Sequence, residues 1–140
     1  MARLWLLVAA LGAFIVFLAA VARASTEAES LYTKAQTYNA ALRYLRVDLG
    51  YEVTEKDPEA AYLLFQVTPE GKKAPANGSF EIVEQQDRVR FFVRLPELPQ
   101  YREMVLSDGL LKKLRTEYGE PPPRKESKRR ERPVDAPDAG

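Results

Sequence analysis

Residues 88 to 95, Arg-Val-Arg-Phe-Phe-Val-Arg-Leu, alternate with a period of two. That period belongs to a β-strand with one face in a core and the other in water, so this part of the chain must join a sheet covered on one side. Val89, Phe91, Val93 and Leu95 form the inward row, and Arg88, Arg90, Phe92 and Arg94 the outward row.

Neighbouring segments repeat the signature. Residues 79 to 84 read as a strand with Phe80 and Ile82 inward and Glu81 and Val83 outward, joined to the first by residues 85 to 87. Residues 61 to 67 read as another, with Leu63, Phe65 and Val67 inward and Tyr62, Leu64 and Gln66 outward; residues 51 to 55 pair with it across a turn at 56 to 58. Residues 69 to 78 read as a polar loop, and Asn77-Gly78-Ser79 as a tight turn rather than a glycosylation site.

Two helices flank these four strands. Thr26 and Glu29 have capping-box spacing, and Leu31, Ala35, Tyr38, Leu42, Leu45 and Leu49 follow as an apolar stripe that Gly50 ends. A stripe this short, followed by strands, favours packing on a sheet over a coiled coil. Tyr101, Met104, Leu111, Leu114 and Tyr118 mark a second helix, stopped by Gly119 and three prolines; Gly109 in its middle costs about 1 kcal/mol against Ala. The expected fold is α+β: a two-layer domain over residues 25 to 118, ordered helix, four antiparallel strands, helix, with both helices on one face.

The ends of the chain read differently. After Arg3, residues 4 to 22 carry no charge, which is the pattern of an export signal or of an uncleaved anchor, so residues 1 to 24 are one or the other. Small residues at 20 and 22, or at 22 and 24, offer two signal-peptidase sites; the second is preferred and leaves Ser25 first. Both alternatives put the domain outside the cytoplasm, periplasmic or secreted if cut, anchored in the inner membrane if not. Residues 119 to 140 hold five prolines and almost no large apolar side chain, the composition of a disordered tail. Within it Arg124, Lys125, Lys128, Arg129, Arg130 and Arg132 form a basic block that suits anionic lipid or polysaccharide. Glu126 and Glu131 dilute it, and no aromatic is interleaved, so nucleic acid is not an expected partner.

Chemistry is narrowed by what the chain lacks. It has no Cys and no His, which removes thiolate metal sites, disulfides and the commonest general base. Glu52, Glu55, Asp57 and Glu59 cluster around a solvent-facing turn, without the buried, cleft-flanking pair that glycoside hydrolysis needs and without EF-hand spacing. Ser79 and Ser107 have no His to activate them. No catalytic residue, metal or cofactor is therefore expected, and the protein reads as a non-enzyme. Residues 25 to 118 carry 13 basic and 15 acidic side chains, so recognition must be local rather than steered by net charge.

The run ALRYLRVDLGYEVTEKDPEAAYLLF, a helix ending in Gly-Tyr, a strand, an Asp-bearing turn and a second strand, resembles small exported bacterial domains of unknown function. It is similar also to repeated modules in envelope lipoproteins of the outer-membrane assembly machinery, although this chain has no Cys to acylate. The resemblance implies an interaction module of the cell envelope and brings no catalytic residue with it.

The outward rows then become the candidate site. Phe92, Val83, Leu64 and Tyr62 share one face with Arg90 and Arg94, an apolar centre with a charged rim that fits an envelope protein or a second copy of the chain. The alternative is association with anionic lipid or polysaccharide through the basic tail. Mass spectrometry of the exported protein separates the two fates of the N-terminus: cleavage yields Ser25, or Arg23 at the other site, whereas an anchor retains Met1 in the membrane fraction.

Overall fold

Alternation along three adjacent strands builds the core. The computed structural model describes residues 25–123, in the order β1 (Thr26–Ser30), α1 (Lys34–Arg43) running into a π-helical turn (Tyr44–Asp48), β2 (Glu52–Asp57), β3 (Tyr62–Val67), β4 (Ala76–Gln85), β5 (Arg88–Arg94) and α2 (Gln100–Tyr118). The strands form one antiparallel sheet in the order β1-β5-β4-β3-β2. Phe91 lies opposite Ile82, Val93 opposite Phe80, and Phe80 opposite Leu63, so the inward rows meet across three strands. The rings of Phe65, Phe80 and Phe91 follow one another at 5.8 and 6.2 Å between centroids, all fully buried. Each such ring contributes about 1.5–3 kcal/mol through its burial.

The fold differs from expectation first at its N-terminal end. Residues 26 to 30 are a strand, not a helix start, and the sheet therefore has five strands, in the order strand, helix, four strands, helix. Thr26, Ala28 and Ser30 lie opposite the inward Val93, Phe91 and Val89, while Glu27 and Glu29 lie opposite the outward Phe92 and Arg90. The reason is backbone satisfaction: without β1, the buried strand β5 would present a bare edge of N–H and C=O groups. The capping box belongs to Thr33 and Gln36 instead. The Thr33 hydroxyl accepts from the Gln36 backbone N–H at 3.1 Å, and the Gln36 side-chain oxygen accepts from the Thr33 N–H at 3.1 Å.

That shift rotates the buried side of α1. Thr37, Tyr38, Ala40 and Ala41 face the sheet, followed by Tyr44 and Leu45 in the π-helical turn, while Leu31 and Ala35 are exposed. Gly50, at φ +65°, ends the helical segment where expected.

The polar loop after β3 is shorter than expected because β4 begins at Ala76, and residues 77 to 79 lie inside the strand. Gly78 is needed there for close packing: a Cβ would come within 2.5 Å of the Phe65 ring and 2.7 Å of Leu95. The tight turn falls at Gln86 and Asp87, whose φ values of +52° and +61° match a two-residue hairpin between twisted strands. At the other margin, a register shift between Val53 and Glu55 interrupts edge strand β2, a feature that discourages edge-to-edge pairing.

Helix α2 also differs in phase. Its buried residues are Glu103, Leu106, Ser107, Leu110 and Leu114, whereas Tyr101 and Met104 are exposed and Leu111 and Tyr118 half-buried. Glu103 decides this orientation. Its Oε1 accepts from the Leu95 N–H at 2.8 Å, and its Oε2 accepts from the backbone N–H and hydroxyl of Thr26 at 3.2 and 3.0 Å. One buried carboxylate thus ties α2 to β1 and to the end of β5, with both oxygens occupied.

Gly109 is not merely a weak point of α2. A Cβ at this position would overlap the Tyr44 hydroxyl and lie 2.5 Å from the ring carbon that bears it. Gly109→Ala should therefore lower Tm by overpacking, at about 1–3 kcal/mol, where an unobstructed mid-helix site would gain roughly 1 kcal/mol. In a Tyr44→Ala background the same substitution should raise Tm, and a gain in the otherwise native chain would show that the contact yields. Phe91→Ala should cost about 3–5 kcal/mol in denaturant titration, enough to threaten a domain of this size.

Candidate functional site

The outward rows lie on the face of the sheet opposite both helices, and no described element covers them. Strand alternation places Phe92, Arg90, Arg94 and Arg88 there from β5, Ser79, Glu81 and Val83 from β4, and Tyr62, Leu64 and Gln66 from β3. Acidic residues flank them, Glu27 and Glu29 on β1 and Glu55 and Asp57 on β2. Phe92, Tyr62 and Leu64 are half-buried and Val83 is exposed.

Cross-strand register refines the expected apolar centre. Glu81 stands opposite both Phe92 and Tyr62, and Ser79 opposite both Arg94 and Leu64, so polar residues of β4 stand between Phe92 and the Tyr62–Leu64 pair. Val83, two residues along β4 from Glu81, is a diagonal neighbour of both Phe92 and Tyr62. Beside Tyr62 and Leu64 a shallow hollow of about 310 Å³ is lined by these two with Ala60, Ser79, Phe80 and Glu81. Small Ser79 opens this space.

The charges on this face are not all alike. Arg90 pairs with Glu27 at 3.2 Å, with both side chains well exposed, so the pair adds little stability. Arg88 and Arg94 are exposed and have no ion-pair partner among the described residues. The Tyr62 hydroxyl donates to Glu55, and that carboxylate holds the phenol above its ordinary pKa. A phenol so held stays a neutral donor throughout the physiological range.

The acidic turn has a structural role. Asp57 Oδ1 accepts from the backbone N–H groups of Glu59 and Ala60, both at 2.9 Å, which closes the β2–β3 connection. Among the described residues no group of three or more metal-ligating side chains converges. The basic block, Arg124, Lys125, Lys128, Arg129, Arg130 and Arg132, lies outside the described residues, as does the N-terminal segment 1 to 24.

One feature had no counterpart in the sequence pattern. A groove of about 720 Å³ runs between the start of α1, the β4–β5 turn and the C-terminal segment, with Leu31, Tyr32, Tyr38, Pro58, Val89 and Pro122 in its lining. The Tyr38 hydroxyl, buried beside it, meets no hydrogen-bond partner among the described residues, and burial, aided by Asp57, pushes its pKa up. Its walls come from four separated stretches of chain, which no local periodicity could have joined.

No protein-family model matches the chain, and no curated protein does. Among solved structures it is similar to that of Ara h 8.0201, at 9% identity and a TM-score of 0.40, over 66% of this chain and 94% of that one. A likeness so distant carries neither a fold nor a function across.

Proposed function

We propose that this domain is a non-enzymatic binding or scaffold module of the bacterial cell envelope, which docks an envelope protein on the outer face of its sheet. The observation that carries the reading is the uncovered outer face: Phe92, Tyr62, Leu64 and Val83 stand there beside Arg88 and Arg94, which lack ion-pair partners among the described residues. Aromatic and arginine side chains are the types enriched where protein surfaces bind each other. The shallow hollow beside Tyr62 and Leu64 gives a partner's side chain a seat.

Export fits the same picture, since an apolar N-terminal run delivers the domain to a compartment where a small, charge-balanced module works by contact rather than by steering.

Crosslinking of the exported full chain, followed by mass spectrometry of the adducts, tests the reading. One envelope protein should be captured in stoichiometric yield, with the crosslinks on β3, β4 and β5. Phe92→Ser should abolish capture while leaving Tm nearly unchanged, and Arg90→Glu should weaken it. Capture that survives both variants but disappears on removing residues 124 to 140 would transfer the function to the basic tail. Adducts between copies of this chain alone would make the face a self-association surface.

A further inference from the structure

Helix α2 carries a second apolar surface that the core does not use. Tyr101, Met104 and Val105 stand at i, i+3 and i+4 on one side of its first two turns, and they are 58%, 54% and 59% exposed. The Arg102 guanidinium lies 5.7 Å from the centre of the Tyr101 ring and donates through Nε to its hydroxyl at 3.3 Å. Glu103, among these residues, points the other way and holds Thr26.

Thr26 is where the chain arrives from its apolar N-terminal run. The last residue of that run, Ala22, precedes Thr26 by four positions, and a fully extended chain covers about 3.5 Å per residue. The end of the run therefore lies within about 14 Å of Thr26, and Thr26 is pinned to the helix turn that bears the patch.

We propose that the run stays attached as a membrane anchor and that Tyr101, Met104 and Val105 rest on the bilayer surface beside it. The proposal builds on the envelope location above and is independent of the outer-face contact. The chemistry of the patch suits an interface: Tyr places an apolar ring and a polar tip at headgroup level, and Arg102 extends its charge towards lipid phosphates. Met104 and Val105 supply apolar surface for the acyl boundary. Three side chains are too few to hold a free protein on a membrane, but the short tether makes docking intramolecular and raises the effective concentration of lipid surface. Contact then sets orientation. Because α2 packs on the inner face of the sheet, the outer face remains clear of the bilayer.

The absence of Cys from the chain makes the test direct. Full chain carrying Met104→Cys, labelled with the fluorophore NBD and reconstituted into phosphatidylethanolamine–phosphatidylglycerol vesicles, should emit further to the blue. Its iodide quenching should drop several-fold, and doxyl-labelled lipids should quench it. Val105→Cys should behave alike. Labels at Val47, which is 75% exposed beside the Asp48 that meets Lys113 near the far end of α2, and at Val83 should remain accessible to iodide. Phe92→Ser should leave the signal at 104 unchanged, so loss of partner capture and loss of membrane contact are read separately. A label at 104 that stays open to iodide in vesicles overturns the proposal. So does one that is shielded yet untouched by doxyl lipid, which would mean cover by protein, and so does a membrane-free product beginning at Ser25.

Discussion

The buried rings of Phe65, Phe80 and Phe91 decide which side of the sheet must be covered, and every other element answers to that choice. They occupy consecutive strands as diagonal neighbours, each two residues out of register with the next, so the inward face is apolar across the middle of the sheet and cannot remain in water. Two helices meet the requirement in different ways. Helix α1 comes close through Ala40 and Ala41, while α2 fits over β1 and β5 through Leu106, Leu110 and Leu114. Contact between the helices is fixed where Gly109 receives the Tyr44 ring and where Arg43 and Lys113 converge on Glu117, with Lys113 also meeting Asp48 at 3.0 Å. Hydrogen bonding to Arg43 holds the Glu117 carboxyl below its ordinary pKa, so this link is complete at neutral pH and weakens as acid protonates it.

Strong alternation made β3, β4 and β5 legible, because large β-branched and aromatic residues leave only one way to orient each strand. Residues 26 to 30 offered no such signal. Their inward side chains are Thr, Ala and Ser, small enough to sit under α2, and a polar five-residue segment with Thr and Glu three apart looks more like a helix cap than an edge strand. The phase of α2 was hidden for a related reason: Glu103 and Ser107 are buried while Tyr101, Met104 and Val105 face out, which inverts the usual pattern at the start of the helix. Only the three hydrogen bonds of Glu103 make that inversion stable, and their donors lie 8 and 77 residues away in sequence. Asn77-Gly78 misled through a strong local turn preference that the packing of Phe65 and Leu95 overrides.

The candidate face was legible to the same extent as its strands. Alternation assigned Phe92, Val83, Leu64 and Tyr62 to the side away from the helices, but only the register between strands shows Glu81 and Ser79 standing between Phe92 and the Tyr62–Leu64 pair. Strand order matters equally for charge. Because β1 closes beside β5, Glu27 reaches Arg90 in an exposed ion pair, whereas Arg88 and Arg94 have no ion-pair partner among the described residues.

Glu103 also connects the two surfaces. By holding Thr26, it sets where the polypeptide leaves the sheet towards the N-terminal run, and by turning inward it forces Tyr101, Met104 and Val105 outward on the same helix. A leucine at this position would fill the core site but leave the Leu95 and Thr26 N–H groups without their acceptor, and an unsatisfied buried donor costs about 1–3 kcal/mol. The carboxylate thus satisfies the first strand, orients the last helix and brings its exposed patch to the point of chain entry. Membrane contact on that side and protein contact on the outer face of the sheet are then geometrically compatible, since α2 and the outer row lie on opposite sides of one five-stranded layer.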